Sequence, residues 1–502
     1  MKRLDTKQPA RKRCLPFVAM IAILLGLMTL SGCKSGSSNP PPRANPPPAG
    51  DQGAIKVAKL LIEHNATDED TGFQGFADGD PWNELAITGP NGMRIVTVTP
   101  SGGLFNFGLT ELFFETSEPP NDEVPIADVL ARLSAGNYSF AGTMVKGVPS
   151  TLTANLTHSI PRGAVLTGPA DGATGLNPSS IVVSWQPVSQ NLNGQAVNVV
   201  GYQVIVEDTA TAPFPQAFSK HVFSVHLPAT ASSVEVPAEF MEDDTCYEYE
   251  VLAIEASGNQ TLASAEFETG DGCVPPPPDN DDTPRLKVAK LLIEHNATDQ
   301  DTGFQGFVDG DPWNLLTVSG PGSIEVVRAT PAGGLLNFGL TELFFETSEP
   351  KNAEVPIASV LARLPEGAYT FRGVMVEGGA ATTMTASLTH AIPAGPQLTS
   401  PADGAQNVNP ANTVVRWQPV TTTTSGQPIA IVIYQVIVEE SAAPLFPQAF
   451  SKRVFSVYLP GTATSVTVPA EFMRSGTDYE FEVLAIEASG NQTLSSAEFK
   501  TQ

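Results

Sequence analysis

Cysteine, histidine and basic residues are all scarce in this chain. Its 502 residues hold four cysteines, six histidines and 27 Lys and Arg against 53 Asp and Glu, a formal net charge of −26. So few thiols and imidazoles exclude multi-zinc modules, and no Cys-x-x-Cys or His-Glu-x-x-His occurs. A Gly-x-Ser-x-Gly elbow and a phosphate loop ending in Lys-Ser/Thr are also absent, which removes the common hydrolase and nucleotide-binding signatures. Acid pairs are too frequent to single out a glycosidase dyad. The chain is read as non-enzymatic. The acidic balance argues against nucleic acid, whose binders carry basic patches, and against electrostatic adhesion to anionic lipid.

Basic residues do concentrate at the start. Lys2, Arg3, Lys7, Arg11, Lys12 and Arg13 face only Asp5, and an apolar run follows from Leu15 to Leu30. A basic segment, a short apolar stretch and small residues mark a secretory signal. The run is shorter than the about 20 residues of a comfortable bilayer crossing. The ending Leu30-Ser31-Gly32-Cys33 resembles a bacterial lipobox. That resemblance implies cleavage before Cys33, lipidation of Cys33 and a mature chain beginning there; Lys34, where Asp would retain the protein inside, favours the outer membrane, on either face. Removing residues 1–32 takes away a net +5 and leaves −31. Residues 33–54 form a lipidated cysteine and a Ser/Pro/Gly tether with almost nothing to bury.

The rest is one unit written twice. Ile55–Thr269 reappears as Leu286–Thr501, shifted by 231 and later 232 positions. Each copy divides again. The second half resembles a fibronectin type III domain: Trp185 in "SIVVSWQPV" and Trp417 in "TVVRWQPV" stand where that family places its core tryptophan. The spacing Tyr247, Ala253, Gly258, repeated as Tyr479, Ala485, Gly490, matches its tyrosine-corner strand. "YQVIVE" at Tyr202 and Tyr434 alternates like a strand with one buried face. The first half reads as an Ig-like β domain, with "PIADVLARL" as one short helix and "YTFRGVMV" opening a closing hairpin. The expected fold is all-β: four tandem β-sandwiches in two repeats, covering 55–163, 164–269, 286–394 and 395–502. A Pro/Asp-rich linker at 270–285 joins the copies, and the prediction is a jointed rod.

Cys14 and Cys33 belong to the signal and anchor, leaving Cys246 and Cys273. A hairpin around Ser257–Gln260 brings position 246 opposite about 271, so a Cys246–Cys273 disulfide is expected in an exported protein.

The remaining candidate chemistry is an acidic stretch present in both copies. "DEDTGFQGFADGDPWN" carries Asp68, Asp70, Asp78 and Asp80 before Trp82; the second copy has Asp299, Asp301, Asp309 and Asp311 before Trp313. Alternating carboxylates about a glycine suit calcium, the one cofactor candidate here, although the closing bidentate Glu of an EF-hand is missing. An exposed polar turn explains the same residues. Trp82 and Trp313 could stack on a sugar or pack at a sandwich edge. The histidines recurring in both copies, His64/His295 and His158/His390, are read as structural. The function expected is a lipid-anchored spacer, adhesion module or protein-interaction scaffold of the envelope. The alternatives are a calcium- or glycan-binding surface lipoprotein and an accessory subunit of an exported enzyme or secretion system. The expected partners are the membrane, through the anchor, and a protein or glycan.

Overall fold

The structure is a computed structural model describing residues 53–209, 221–270, 272–274, 283–442, 449 and 452–502. The signal, Cys33, the tether and the linker prolines 275–278 lie outside the described residues. No described helix is long and apolar enough to cross a membrane.

The fold is all-β. The first copy contains β1 (Ile55–Asn65), β2 (Asp70–Thr88), β3 (Arg94–Pro100), β4 (Leu109–Thr116), β5 (Gly136–Met144), β6 (Pro149–Leu156), β7 (Val165–Gly168), β8 (Ala173–Leu176), β9 (Val182–Gln186), β10 (Val199–Asp208), β11 (Val222–Pro228), β12 (Ser233–Glu235), β13 (Cys246–Glu255) and β14 (Gln260–Thr269). The second repeats them as β15 (Leu286–Asn296), β16 (Asp301–Ser319), β17 (Glu325–Pro331), β18 (Leu340–Thr347), β19 (Gly367–Met375), β20 (Ala381–Leu388), β21 (Gln397–Ser400), β22 (Ala405–Val408), β23 (Val414–Gln418), β24 (Ile431–Glu440), β25 (Val454–Pro460), β26 (Ser465–Thr467), β27 (Asp478–Glu487) and β28 (Gln492–Thr501). The expected short helix is present in both copies, α1 (Ile126–Leu130) and α2 (Ile357–Leu361).

The in-line rod is overturned. The copies lie side by side, joined by three antiparallel ladders: β3 on β17, β4 on β18 and β11 on β25. In each ladder a residue faces its own counterpart: Val98 opposite Ala329, Phe113 opposite Phe344, Ser224 opposite Ser456. That register is the mark of an isologous, two-fold contact. Thr110 Oγ1 donates to the Thr347 carbonyl at 3.0 Å, and its mate Thr341 Oγ1 donates to the Thr116 carbonyl at 3.2 Å. The guanidinium carbons of Arg132 and Arg363 stand 5.4 Å and 5.2 Å from the ring centroids of Phe338 and Phe107 in the other copy.

These junctions close a 14-strand ring. Its order is β1–β2–β4–β18–β16–β15–β28–β27–β24–β25–β11–β10–β13–β14 and back to β1. Outside the ring lie a sheet of β6–β5–β2–β3–β17–β16–β19–β20 and two three-stranded sheets, β7–β9–β12 and β21–β23–β26. Strands β2 and β16 are long enough to serve both layers. One apolar core, containing Trp82, Phe114, Trp313 and Phe345, runs through the first halves of both copies. A second, containing Trp185, Phe223, Trp417 and Phe455, runs through the second halves. The first halves are therefore not two separate sandwiches.

Strands of the ring bury both faces, which corrects the one-faced reading of "YQVIVE". Tyr202, Val204 and Val206 enter an outer core while Gln203, Ile205 and Glu207 enter the ring. The tyrosine corner has the contact its resemblance implied: the Tyr247 and Tyr479 hydroxyls accept from the amides of Glu242 at 2.7 Å and Arg474 at 2.8 Å. Cys246 registers opposite Glu268, not 271. Gly270 and Gly272, at φ 62° and 146°, then turn the chain back so that Cys273 is disulfide-bonded to Cys246 with Cα atoms 5.2 Å apart.

Small-angle scattering in detergent-free solution, on the chain lacking residues 1–33, should give a radius of gyration near the roughly 22–24 Å of a compact body this size; an in-line rod would give a far larger value. Gly103 and Gly334 interlock the copies: a Cβ would lie 1.8 Å from the Arg363 carbonyl oxygen and 2.0 Å from that of Arg132. Gly103→Ala and Gly334→Ala should each cost about 1–3 kcal/mol in denaturant unfolding, whereas independent copies would leave both near neutral.

Candidate functional site

The four aspartates of each acidic stretch do not converge. Strands β1 and β2 form a hairpin with Asn65 opposite Asp70 and Val57 opposite Asp78. Eight residues of strand separate Asp70 from Asp78, roughly 26 Å at 3.3 Å per residue. Asp68 sits in the hairpin turn, where the Asn65 side chain donates to it at 3.1 Å and accepts from the Thr67 and Asp68 amides. It also lines a cleft of about 680 Å³ with Thr67, Pro169, Asp171 and Tyr249. Asp80 holds Lys56 Nζ at 2.7 Å and the Ala54 amide at 2.9 Å. The second copy repeats this: Asp299 accepts from Asn296, and Asp311 holds Lys287 at 2.8 Å and the Arg285 amide. Asp301 occupies the position of Asp70 at the start of its strand.

"DGDPW" is a strand corner, where β2 leaves the ring and crosses to the outer sheet. Pairing with β1 ends at Gly79, and pairing with β5 begins at Trp82. A Cβ on Gly79 would lie 2.4 Å from the Ala54 carbonyl oxygen, and on Gly310, 2.6 Å from that of Arg285. Pro81 stands at the break in the β2–β4 register, where a missing N–H removes no ladder bond. Trp82 and Trp313 are both 0% exposed, so the sugar-stacking role is corrected to core packing. The recurring histidines are structural. His64 Nδ1 meets the Asp70 carbonyl at 2.8 Å and Thr71 Oγ1 at 2.9 Å, His295 repeats this, and His158 and His390 bind the carbonyls of Leu133 and Leu364.

Asp78 and Asp309 belong instead to an arrangement that the sequence does not display. Six strands of the ring, β1–β2–β4–β18–β16–β15, align their inward residues in transverse rows. The middle row reads Lys59–Phe76–Phe113–Phe344–Phe307–Lys290. On one side lies Val57–Asp78–Glu111–Glu346–Gln305–Leu292; on the other, by two-fold symmetry, Val288–Asp309–Glu342–Glu115–Gln74–Leu61. Each flanking row thus puts carboxylates on three consecutive strands, about 4.8 Å apart. Two like charges at that spacing repel by about 3–4 kcal/mol at an effective dielectric of 20, far above the value in water. All six acids are under 9% exposed.

Burial, followed by neighbouring carboxylates, pushes Glu111, Glu115, Glu342 and Glu346 well above the usual range. Burial raises Asp78 to about 6 and Asp309 to about 7 against the pull of Lys56 and Lys287. It lowers Lys59 and Lys290 to about 7 against the carboxylates beside them. Each ammonium lies 5.7 Å from a phenylalanine centroid of the middle row. Neither carboxylate oxygen of Glu342 has a hydrogen-bond partner, nor does one oxygen each of Glu111, Glu118 and Glu349.

No protein-family model and no curated protein matches the chain. Solved structures resembling it include the chicken CNTN1 FN1–FN3 domains, at 12% identity over 68% of this chain and 98% of that one, with a TM-score of 0.19. A tetra-tandem repeat from the extending region of a large adhesion protein gives 14% identity over 89% and 100%, with a TM-score of 0.16. The Clostridium thermocellum CbhA fibronectin(III)-like modules give 10% over 42% and 94%, with a TM-score of 0.18.

A pH dependence follows from the ring. Acids with raised folded pKa values give stability that is complete below the ordinary carboxylate pKa of about 4 and lost as pH rises through the folded values. For Asp78, Asp301, Asp309 and Glu294 the loss runs from about 4 up to folded values of about 6–7. The depressed lysines lose their stability between about 10 and 7 and add no slope below it. Three buried histidines oppose the acids below the ordinary imidazole pKa of 6.5: His226, lowered to about 4 by burial and then Lys59, and His64 and His295, both lowered by burial. In a divalent-cation chelator the melting midpoint should therefore fall by at least roughly 5 °C from pH 5 to pH 7; a flat or rising profile in calorimetry would contradict the buried acids.

Proposed function

We propose that this protein is a non-catalytic, exported, lipid-anchored envelope protein acting as a rigid, bivalent adhesion or interaction body. The observation that carries the reading is the set of three isologous ladders. They fuse the copies into one body related by a two-fold, so a binding surface on one copy recurs on the other at a fixed separation. Two linked sites raise avidity without any new contact, provided both reach their partners. A stiff pair loses no affinity to flexible spacing. The basic start, the apolar run and Cys33 support export and anchoring, and the Cys246–Cys273 bridge suits an oxidising compartment. Side-by-side copies halve the reach of an in-line chain, which favours presentation of a surface over spacing.

Cys33→Ala should abolish metabolic labelling with an alkynyl fatty acid and move the protein from the membrane to the soluble fraction; unchanged labelling would remove the anchor assignment. Beads coated with the chain should be retained on envelope-bearing cells or matrix glycoproteins several-fold above albumin-coated beads. Equal retention would count against the adhesive reading.

A further inference from the structure

The acidic rows inside the ring are explained neither by adhesion nor by the outer cores. Their carboxylates are acceptors only. Glu342 is 0% exposed and Glu111 3%, with three of their four carboxylate oxygens lacking any hydrogen-bond partner. Buried carboxylates with no donor call for a cation. We propose that each row, Asp78–Glu111–Glu346 and its mate Asp309–Glu342–Glu115, binds one hard divalent cation of the calcium type.

Three features support this. First, the ligand atoms are all carboxylate oxygens, the set that calcium selects over softer metals. Second, the rows carry excess negative charge. Each has three carboxylates near one lysine, Lys59 beside Glu111 and Lys290 beside Asp309 and Glu342, and further buried acids act on them, Glu294 and Glu349 on Glu111, and Glu63 and Glu118 on Glu342; a divalent ion offsets part of that excess. Third, there is a way in. Asp78 is 8% exposed and lies two residues from Asp80, whose side chain is 24% exposed where β2 leaves the ring.

As the side chains stand, the carboxylates splay apart. Among the described residues, the only three ligand-type groups whose atoms all lie within 4.8 Å of one another are Cys246, Glu268 and Cys273, and there both thiols are taken by the disulfide. The strands hold the Cβ atoms of a row close, so rotation of the side chains is what gathers the oxygens. This site differs from the hairpin-turn aspartates. Asp68 and Asp299 take no part, and only Asp78 and Asp309 of the acidic stretches do.

The test uses the full-length chain in detergent, stripped with chelator and titrated with calcium chloride in calorimetry and in thermal melts, with native mass spectrometry for stoichiometry. One calcium per row is expected, with affinity at or tighter than the roughly 0.1–1 mM of extracellular modules, and a melting midpoint raised by several degrees. Glu111→Gln should halve the stoichiometry. Glu111→Gln with Glu342→Gln should abolish both binding and the thermal shift, while Asp68→Asn with Asp299→Asn changes neither. If the double variant does not fold, the halving in the single variant decides. No heat and no shift in the wild type up to about 10 mM calcium would mean that protons neutralise the rows, overturning the proposal. Undiminished binding in the glutamine variants, or loss only in the Asp68/Asp299 variant, would overturn it equally.

Discussion

Enclosure of the inward face of the ring is the constraint on which the rest of the structure depends. Each ring strand carries apolar residues toward an outer core and a mixed set, with carboxylates at regular intervals, toward the interior. Such a strand cannot leave either face to chance. The Lys59–Phe76–Phe113–Phe344–Phe307–Lys290 row supplies the compensating term. It places four phenylalanines on adjacent strands across the two-fold, with Phe113 opposite Phe344 at the centre. Burying each such ring contributes about 1.5–3 kcal/mol, and this offsets part of what the flanking acids cost on leaving water.

The same geometry accounts for the duplication. Strands β3, β4 and β11 would each be an exposed edge in a single copy, with unpaired N–H and C=O groups open to any other strand. Each is self-complementary, as its register shows. A second copy on the same chain satisfies all three edges at an effective concentration fixed by the linker, so association no longer depends on how many molecules are present.

Much of the local structure is legible in the sequence. The repeat, the core tryptophans Trp185 and Trp417, the tyrosine corners, the β13–β14 hairpin, the short helices and the Cys246–Cys273 pairing rest on local periodicity, turn chemistry or fixed spacing. The association of the copies is not. It depends on which edges match, and matching is a property of two surfaces that no single window of residues displays. The acids mislead for a related reason. Alternation such as Gln203–Ile205–Glu207 has the same period whether the polar face meets water or another sheet, and glutamate ordinarily signals water. Acidic neighbours leave Trp82 open to a sugar-stacking reading beside a packed one, but Pro81 and Gly79 mark a corner after which the strand turns inward to the core.

Charge takes on a different meaning once its location is known. A net −31 reads as a self-repelling, soluble surface only if the carboxylates face solvent. Here a set of them faces inward, three abreast, where repulsion is several times stronger than in water. The closed ring is therefore a conditional structure: its stability depends on whatever neutralises the two rows, whether protons, the flanking lysines or a divalent ion. The three junction ladders and the shared cores are built from the same strands, so loosening the interior would loosen the two-fold that fixes the spacing of the copies. A bivalent surface held in register by that two-fold would then have its geometry set from inside the ring, by an element that makes no contact with the partner.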